Sequence, residues 1–135
     1  MKHKVLVTRR WLAAVGAALS EEFDVTLNKG DAALSEDELR RALADYDEVL
    51  PTVTDKLGPS VFELASPRTR ILANYGVGFS HIDTASAERY GIMVTNTPDA
   101  LSDCTADIAM TLLLIAARAS VSCAPSHGPA RARPI

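Results

Sequence analysis

The chain has 135 residues, 47% of them hydrophobic and 23% charged. That is apolar material for about one folded domain and excludes a disordered chain. With 14 Lys and Arg against 17 Asp and Glu, the net charge of −3 at pH 7 argues against duplex nucleic acid as the main partner. Two cysteines without metal-type spacing exclude a zinc ribbon and a disulfide scaffold, and Cys104 and Cys123 read as reduced thiols of a cytoplasmic protein. The opening residues carry too short an apolar run for a signal peptide, and the apolar stretch 108–117 is too short to span a bilayer.

Strand and helix signals alternate along the chain. Residues 4–8 are a short β-branched run, read as a buried strand. Residues 11–22 carry Leu12, Val15 and Leu19 at helical spacing, continued by Phe23. Residues 23–28 alternate with period two and break at Lys29-Gly30. Ser35 and Glu38 form a capping box for a helix to about Tyr46. Glu48-Val49-Leu50 is a third strand, stopped by Pro51, which cannot donate to a ladder. Ser60 and Glu63 suggest a second capping box over one or two turns. Residues 70–75 read as a fourth strand. Asp83 caps a short helix to Tyr90, closed by Gly91 in the left-handed conformation. Residues 92–96 are a fifth strand, ended by Thr97-Pro98, and a long apolar helix runs from about Ser102 through Ala117.

Five strands separated by helices imply an α/β, flavodoxin-like, doubly wound parallel sheet of order 2-1-3-4-5. Ligands on such sheets sit beyond the carboxyl ends of the strands. That directs attention to residues 8–10, 51–54, 76–81 and 96–99.

The segment Asn74-Tyr75-Gly76-Val77-Gly78-Phe79-Ser80-His81-Ile82-Asp83 is the most informative. Two glycines flank one residue between a strand and a helix. Successive backbone N–H groups can there converge on an anion, and the following helix adds its positive end. The same glycines also suit a plain tight turn. Gly76-x-Gly78-x-x-His81 falls short of the dinucleotide fingerprint, because His81 replaces the third glycine and the next strand ends in Asn96, not an acid. A phosphoacceptor receiver domain is excluded as well. Thr8-Arg9-Arg10 and Pro51-Thr52 stand where acids would hold magnesium, and no metal site is expected. His81 lies at the mouth of the expected cleft, where a histidine is more often a hydrogen-bonded loop residue than a general base. The Arg9-Arg10 pair reads as a solvated turn.

These motifs in order, with residues 91–98, Leu50-Pro51-Thr52-Val53-Thr54-Asp55 and Thr105-Ala106-Asp107, resemble the D-isomer-specific 2-hydroxyacid dehydrogenase family, in its glyoxylate/hydroxypyruvate reductase branch. The resemblance covers roughly residues 4–118, and Ser80 departs from it where asparagine is frequent. It implies a two-domain enzyme using NAD or NADP on a small 2-hydroxy or 2-oxo acid. Residues 1–101 would be the substrate-binding (catalytic) domain and 102–118 the start of the inter-domain helix. It further implies that the amides of Val77 and Gly78, within a substrate-binding set of Gly76, Val77 and Gly78, take the substrate carboxylate. Thr105 would contact the dinucleotide. The family's catalytic arginine, glutamate and histidine lie downstream of this stretch, so no catalytic residue is expected in this chain and it is expected to be inactive alone. The intact family is homodimeric. The apolar last helix suggests self-association, with neither nucleic acid nor membrane as partner. A stand-alone carboxylate-binding module, or an interaction protein docking on a full-length paralogue, are the alternatives.

Beyond Arg118 the apolar periodicity stops. Codons for Gly-Glu-Arg-Glu-Leu-Arg-Ala in a GC-rich gene, read one base late, encode Ala-Ser-Val-Ser-Cys-Ala and open a proline codon, which matches residues 119–125. Residues 119–135 are therefore expected to be an irregular, out-of-frame tail of a truncated or frameshifted product.

Overall fold

Val5, Leu6 and Val7 are all buried, as a central strand of a parallel sheet requires when helices cover both faces. The structure is a computed structural model that describes residues 2–63 and 66–122, with side chains of the last helix as far as Arg118. The expectations for the tail beyond Ser122 lie outside the described residues. Two units are distinguished, Met1–Pro98 and a second beginning at Asp99.

In the first unit, β1 (Lys4–Val7), β2 (Asp24–Leu27), β3 (Glu48–Leu50), β4 (Ile71–Ala73) and β5 (Met93–Thr95) form one sheet of order β2-β1-β3-β4-β5. Every pairing is parallel, with Leu6 opposite Val49 and Leu72 opposite Val94. The expected order and fold class are present. The connecting helices are α1 (Ala13–Glu22), α2 (Glu36–Asp45), α3 (Pro59–Phe62) and α4 (Thr84–Arg89). On one face Leu6, Val49 and Leu72 pack with Leu39 and Leu43 of α2, Val61 and Phe62 of α3, and Ala87 of α4. On the other, Val5, Val7 and Leu50 meet Trp11, Leu19 and Phe23 around α1. Each fully buried Val, Leu or Phe among them contributes about 1.5–3 kcal/mol.

Local signals explain most helix ends. The Ser35 hydroxyl accepts from Glu38 N while the Glu38 carboxylate accepts from Ser35 N, so the capping box is complete. Asp83 accepts from Ser86 N to open α4, and Gly91, at φ +69°, closes it. Two expectations need correction. Ser60 does not cap α3. Gly58 is the N-cap, Pro59 occupies the first turn with its φ already helical, and the Ser60 hydroxyl donates to Glu36 of α2. The first helix starts at Ala13, not Trp11, and Leu12 is 75% exposed. Its buried residue is Gly16, where an added Cβ would lie 3.4 Å from Leu27. The helix backbone therefore sits directly on the β2 side chain.

The amino-terminal edge of the sheet is tied by an ion pair. Arg68 donates to both Asp47 oxygens at 2.7 and 3.0 Å, and Lys4 N donates at 2.8 Å. The Arg68 guanidinium, aided by the Lys4 amide, lowers the Asp47 pKa to about 2.

The second unit contains α5 (Ser102–Ser122), which continues past the Ala117 end expected from periodicity. Every side chain described along it is exposed. Among the described residues, no helix is long and apolar enough to cross a membrane.

Candidate functional site

Parallel strands deliver all their carboxyl ends to one edge, so the loops singled out after β1, β3, β4 and β5 gather there. Hydrogen bonds join two of them directly. Tyr75 N donates to Pro51 O at 2.9 Å, Leu57 N to His81 O at 2.9 Å and Asp83 N to Leu57 O at 2.8 Å. The segment after β3 and the glycine loop after β4 are thereby zipped side by side.

A buried carboxylate fastens the base of this edge. Asp55 is fully buried, and its Oδ2 accepts from Thr52 N at 2.8 Å and from the Thr8 hydroxyl. Its Oδ1 has no hydrogen-bond partner among the described residues. Burial holds His81 below the ordinary histidine pKa, and the charge of Asp55 opposes that shift. Arg9, expected as a solvated turn residue, instead pairs with Asp31 at 3.2 Å.

The glycine loop itself has an uneven distribution of donors and acceptors. Gly76 N donates to Asn74 O at 3.0 Å, so its amide is used within the loop. The Gly76 carbonyl accepts from Thr97 N at 3.1 Å and from Asn74 Nδ2 at 3.1 Å. The Val77 carbonyl accepts from Asn96 Nδ2 at 2.9 Å, and the Gly78 carbonyl from Asn74 Nδ2 at 3.0 Å. All three carbonyls are occupied. Among the described residues, the N–H groups of Val77 and Gly78 donate to nothing. Adjacent donors without acceptors on an exposed loop suit a carboxylate or a phosphate oxygen. The rim is apolar: Val53, Tyr75, Val77 and Phe79 are all exposed, and the Tyr75 ring lies 5.0 Å from that of Trp11. A cleft of about 650 Å³ runs along β5 and reaches the loop at Phe79.

The three residues expected to bind substrate thus divide. Val77 and Gly78 present N–H groups without an acceptor among the described residues, while Gly76 shapes the turn. An added Cβ at Gly76 would come within 3.3 Å of Val53 Cγ1 and 3.6 Å of Asn74 Nδ2. Thr105 lies in the other unit, in the first turns of α5, with an exposed side chain. Spacing gave no sign of the roles of Asp55, Asn74 and Asn96, whose importance comes from tertiary hydrogen bonds.

The dinucleotide implied by the resemblance does not fit the residues described. The strand-to-helix turn after β1 is Thr8-Arg9-Arg10-Trp11-Leu12, without glycine. The glycine loop after β4 has His81 in place of the third glycine of the dinucleotide fingerprint, and the helix it leads to has only six residues, with its Ser86 N–H already taken by Asp83. Among the described residues there is also no cluster of His, Cys, Asp or Glu suited to a metal ion.

Comparison with known proteins agrees with this fold. Residues 5–124 match the sequence profile of the D-isomer specific 2-hydroxyacid dehydrogenase catalytic domain. Glyoxylate reductase of Thermococcus kodakarensis is 41% identical over 118 residues, and that of Pyrococcus furiosus 42%. Each alignment covers 87% of this chain and 35% of the relative, so the chain spans about a third of the length of these curated relatives. A Polaromonas structure described as a D-isomer specific 2-hydroxyacid dehydrogenase, NAD-binding, superposes with a TM-score of 0.76 at 31% identity, over 97% of this chain and 44% of that one. A Thermus thermophilus structure superposes with a TM-score of 0.74 at 34% identity, over 88% of this chain and 38% of that one. The chain belongs to the D-isomer specific 2-hydroxyacid dehydrogenase family, through the part of it that matches the family's catalytic domain.

Proposed function

We propose that this chain is the substrate-binding part of an NAD(P)-dependent oxidoreductase acting on the CH–OH group of small 2-hydroxy acids, of the glyoxylate/hydroxypyruvate reductase kind. The observation that carries this reading is the pair of adjacent amides, Val77 and Gly78, with no acceptor among the described residues, while the Gly76, Val77 and Gly78 carbonyls are all bonded. A carboxylate of the substrate takes both N–H groups, a charge-assisted interaction stronger than a neutral hydrogen bond. The names of the relatives, glyoxylate reductases, favour glyoxylate among such acids. In this reading residues 1–101 form the substrate domain, and 102–118 begin the helix that leads to a nucleotide domain. Thr105 lies on the cofactor side.

Hydride transfer requires the nicotinamide held against the substrate carbon and an acid for its oxygen. Neither is supplied by the residues described above, so the chain alone binds without turning over. Purified chain incubated with glyoxylate and NADH or NADPH should leave the nucleotide unoxidised. Steady oxidation by a sample freed of contaminating dehydrogenase contradicts the inactive-part reading.

A further inference from the structure

We propose that Asn74 is a positioning residue for carboxylate capture and that His81 braces it. This rests on the reading of Val77 and Gly78 as the carboxylate site. A trans peptide is planar, so each carbonyl points opposite to the next residue's N–H, and no cis bond is present. Asn74 Nδ2 holds the Gly76 carbonyl at 3.1 Å, together with Thr97 N at 3.1 Å, and so fixes the plane that carries the Val77 N–H. The same nitrogen holds the Gly78 carbonyl at 3.0 Å. From β5, Asn96 Nδ2 holds the Val77 carbonyl at 2.9 Å and so turns the Gly78 N–H. One side-chain amide thereby fixes the peptide planes before and after the one that Asn96 fixes.

Both hydrogens of Asn74 Nδ2 are used, which leaves Oδ1 as an acceptor only. His81 Nε2 lies 3.0 Å from it and must donate. A reversed Asn74 amide would set its oxygen against the Gly76 and Gly78 carbonyls, so those two carbonyls select the productive orientation. His81 takes the Nε2–H form that satisfies Oδ1 and so braces the amide in that orientation. Asn74 is 2% exposed, so water cannot replace these partners. Both the Nε2–H tautomer and the imidazolium donate at this position, so the brace survives titration of His81.

The test uses the full ¹⁵N-labelled chain with sodium glyoxylate as the probe. Asn74→Asp is nearly isosteric but loses both donors. It should weaken binding read at Val77 and Gly78 by roughly tenfold. Without ligand, it should lower the backbone order parameters of residues 77–79 while leaving sheet amides at their wild-type positions. His81→Gln keeps an N–H close to the position of Nε2 and should retain most of the affinity, whereas His81→Ala should lose it. The histidine pair carries the test if Asn74→Asp fails to fold. Wild-type affinity in Asn74→Asp or in His81→Ala overturns the proposal, as does equal loss in His81→Gln and His81→Ala. A wild-type chain with no glyoxylate response at Val77 and Gly78 overturns the underlying carboxylate reading instead, and the ligand-free order parameters separate the two failures.

Discussion

Thr8 and Asp55, 47 residues apart in the chain, share a buried hydrogen bond that fastens the end of β1 to the turn after β3. The same carboxylate oxygen receives Thr52 N at 2.8 Å. Replacing Asp55 by Ala leaves the Thr52 N–H without its acceptor, while the Thr8 hydroxyl can turn its one proton to the Leu50 carbonyl, 3.1 Å away. One stranded donor costs about 1–3 kcal/mol. Urea denaturation of Asp55→Ala should show a loss of that size with an unchanged slope. A loss near zero would mean that the turn is held by other contacts.

The histidine beside the glycine loop gives a pH signature. Burial, the larger influence, lowers its pKa below 6.5, and Asp55 pulls the other way. Observed by NMR, the His81 ring should titrate below 6.5, and lower still in Asp55→Asn. The unfolded chain takes the proton first as pH falls. The His81 contribution to stability is therefore complete above its unfolded pKa and is lost as pH drops through the lower folded value. A ring titrating above 6.5 contradicts this environment.

The fold was legible because its signals are local or periodic. The capping box of Ser35 and Glu38, the left-handed Gly91 and the apolar runs of β1 and β3 each state their structure within a few residues. The pattern at Ser60 and Glu63 misled because the box cannot register that Pro59 has already started the helix one position earlier. At α1 the apolar spacing held for Leu19 and Phe23, which pack on the sheet, but not for Leu12 and Val15, which are exposed. The close seating of Gly16 on Leu27 decides which side is covered, and glycine carries no hydrophobic signal. The glycine loop could be found from spacing, but its two readings could not be separated there. The difference lies in which carbonyls are bonded. That depends on Asn74 and Asn96, brought together only by the β4–β5 pairing.

Helix α5 carries Ile108, Met110, Leu112, Leu113, Leu114 and Ile115, each about 60% exposed. So much apolar surface on several sides of one helix favours association. Sedimentation of the purified chain should show concentration-dependent association, and an apolar dye should bind. The double variant Leu112→Glu, Ile115→Glu should reduce both while the sheet unit keeps its stability within about 0.5 kcal/mol, as exposed substitutions usually do. A wild-type monomer without dye binding contradicts this expectation.

The central claim concerns two backbone amides, and a ¹H–¹⁵N shift titration of the full chain with glyoxylate addresses it most directly. The account predicts saturable shifts centred on Val77 and Gly78, with Gly76 responding less because its amide is already bonded to Asn74. Silence at Val77 and Gly78, or shifts concentrated elsewhere on the sheet unit, would contradict it.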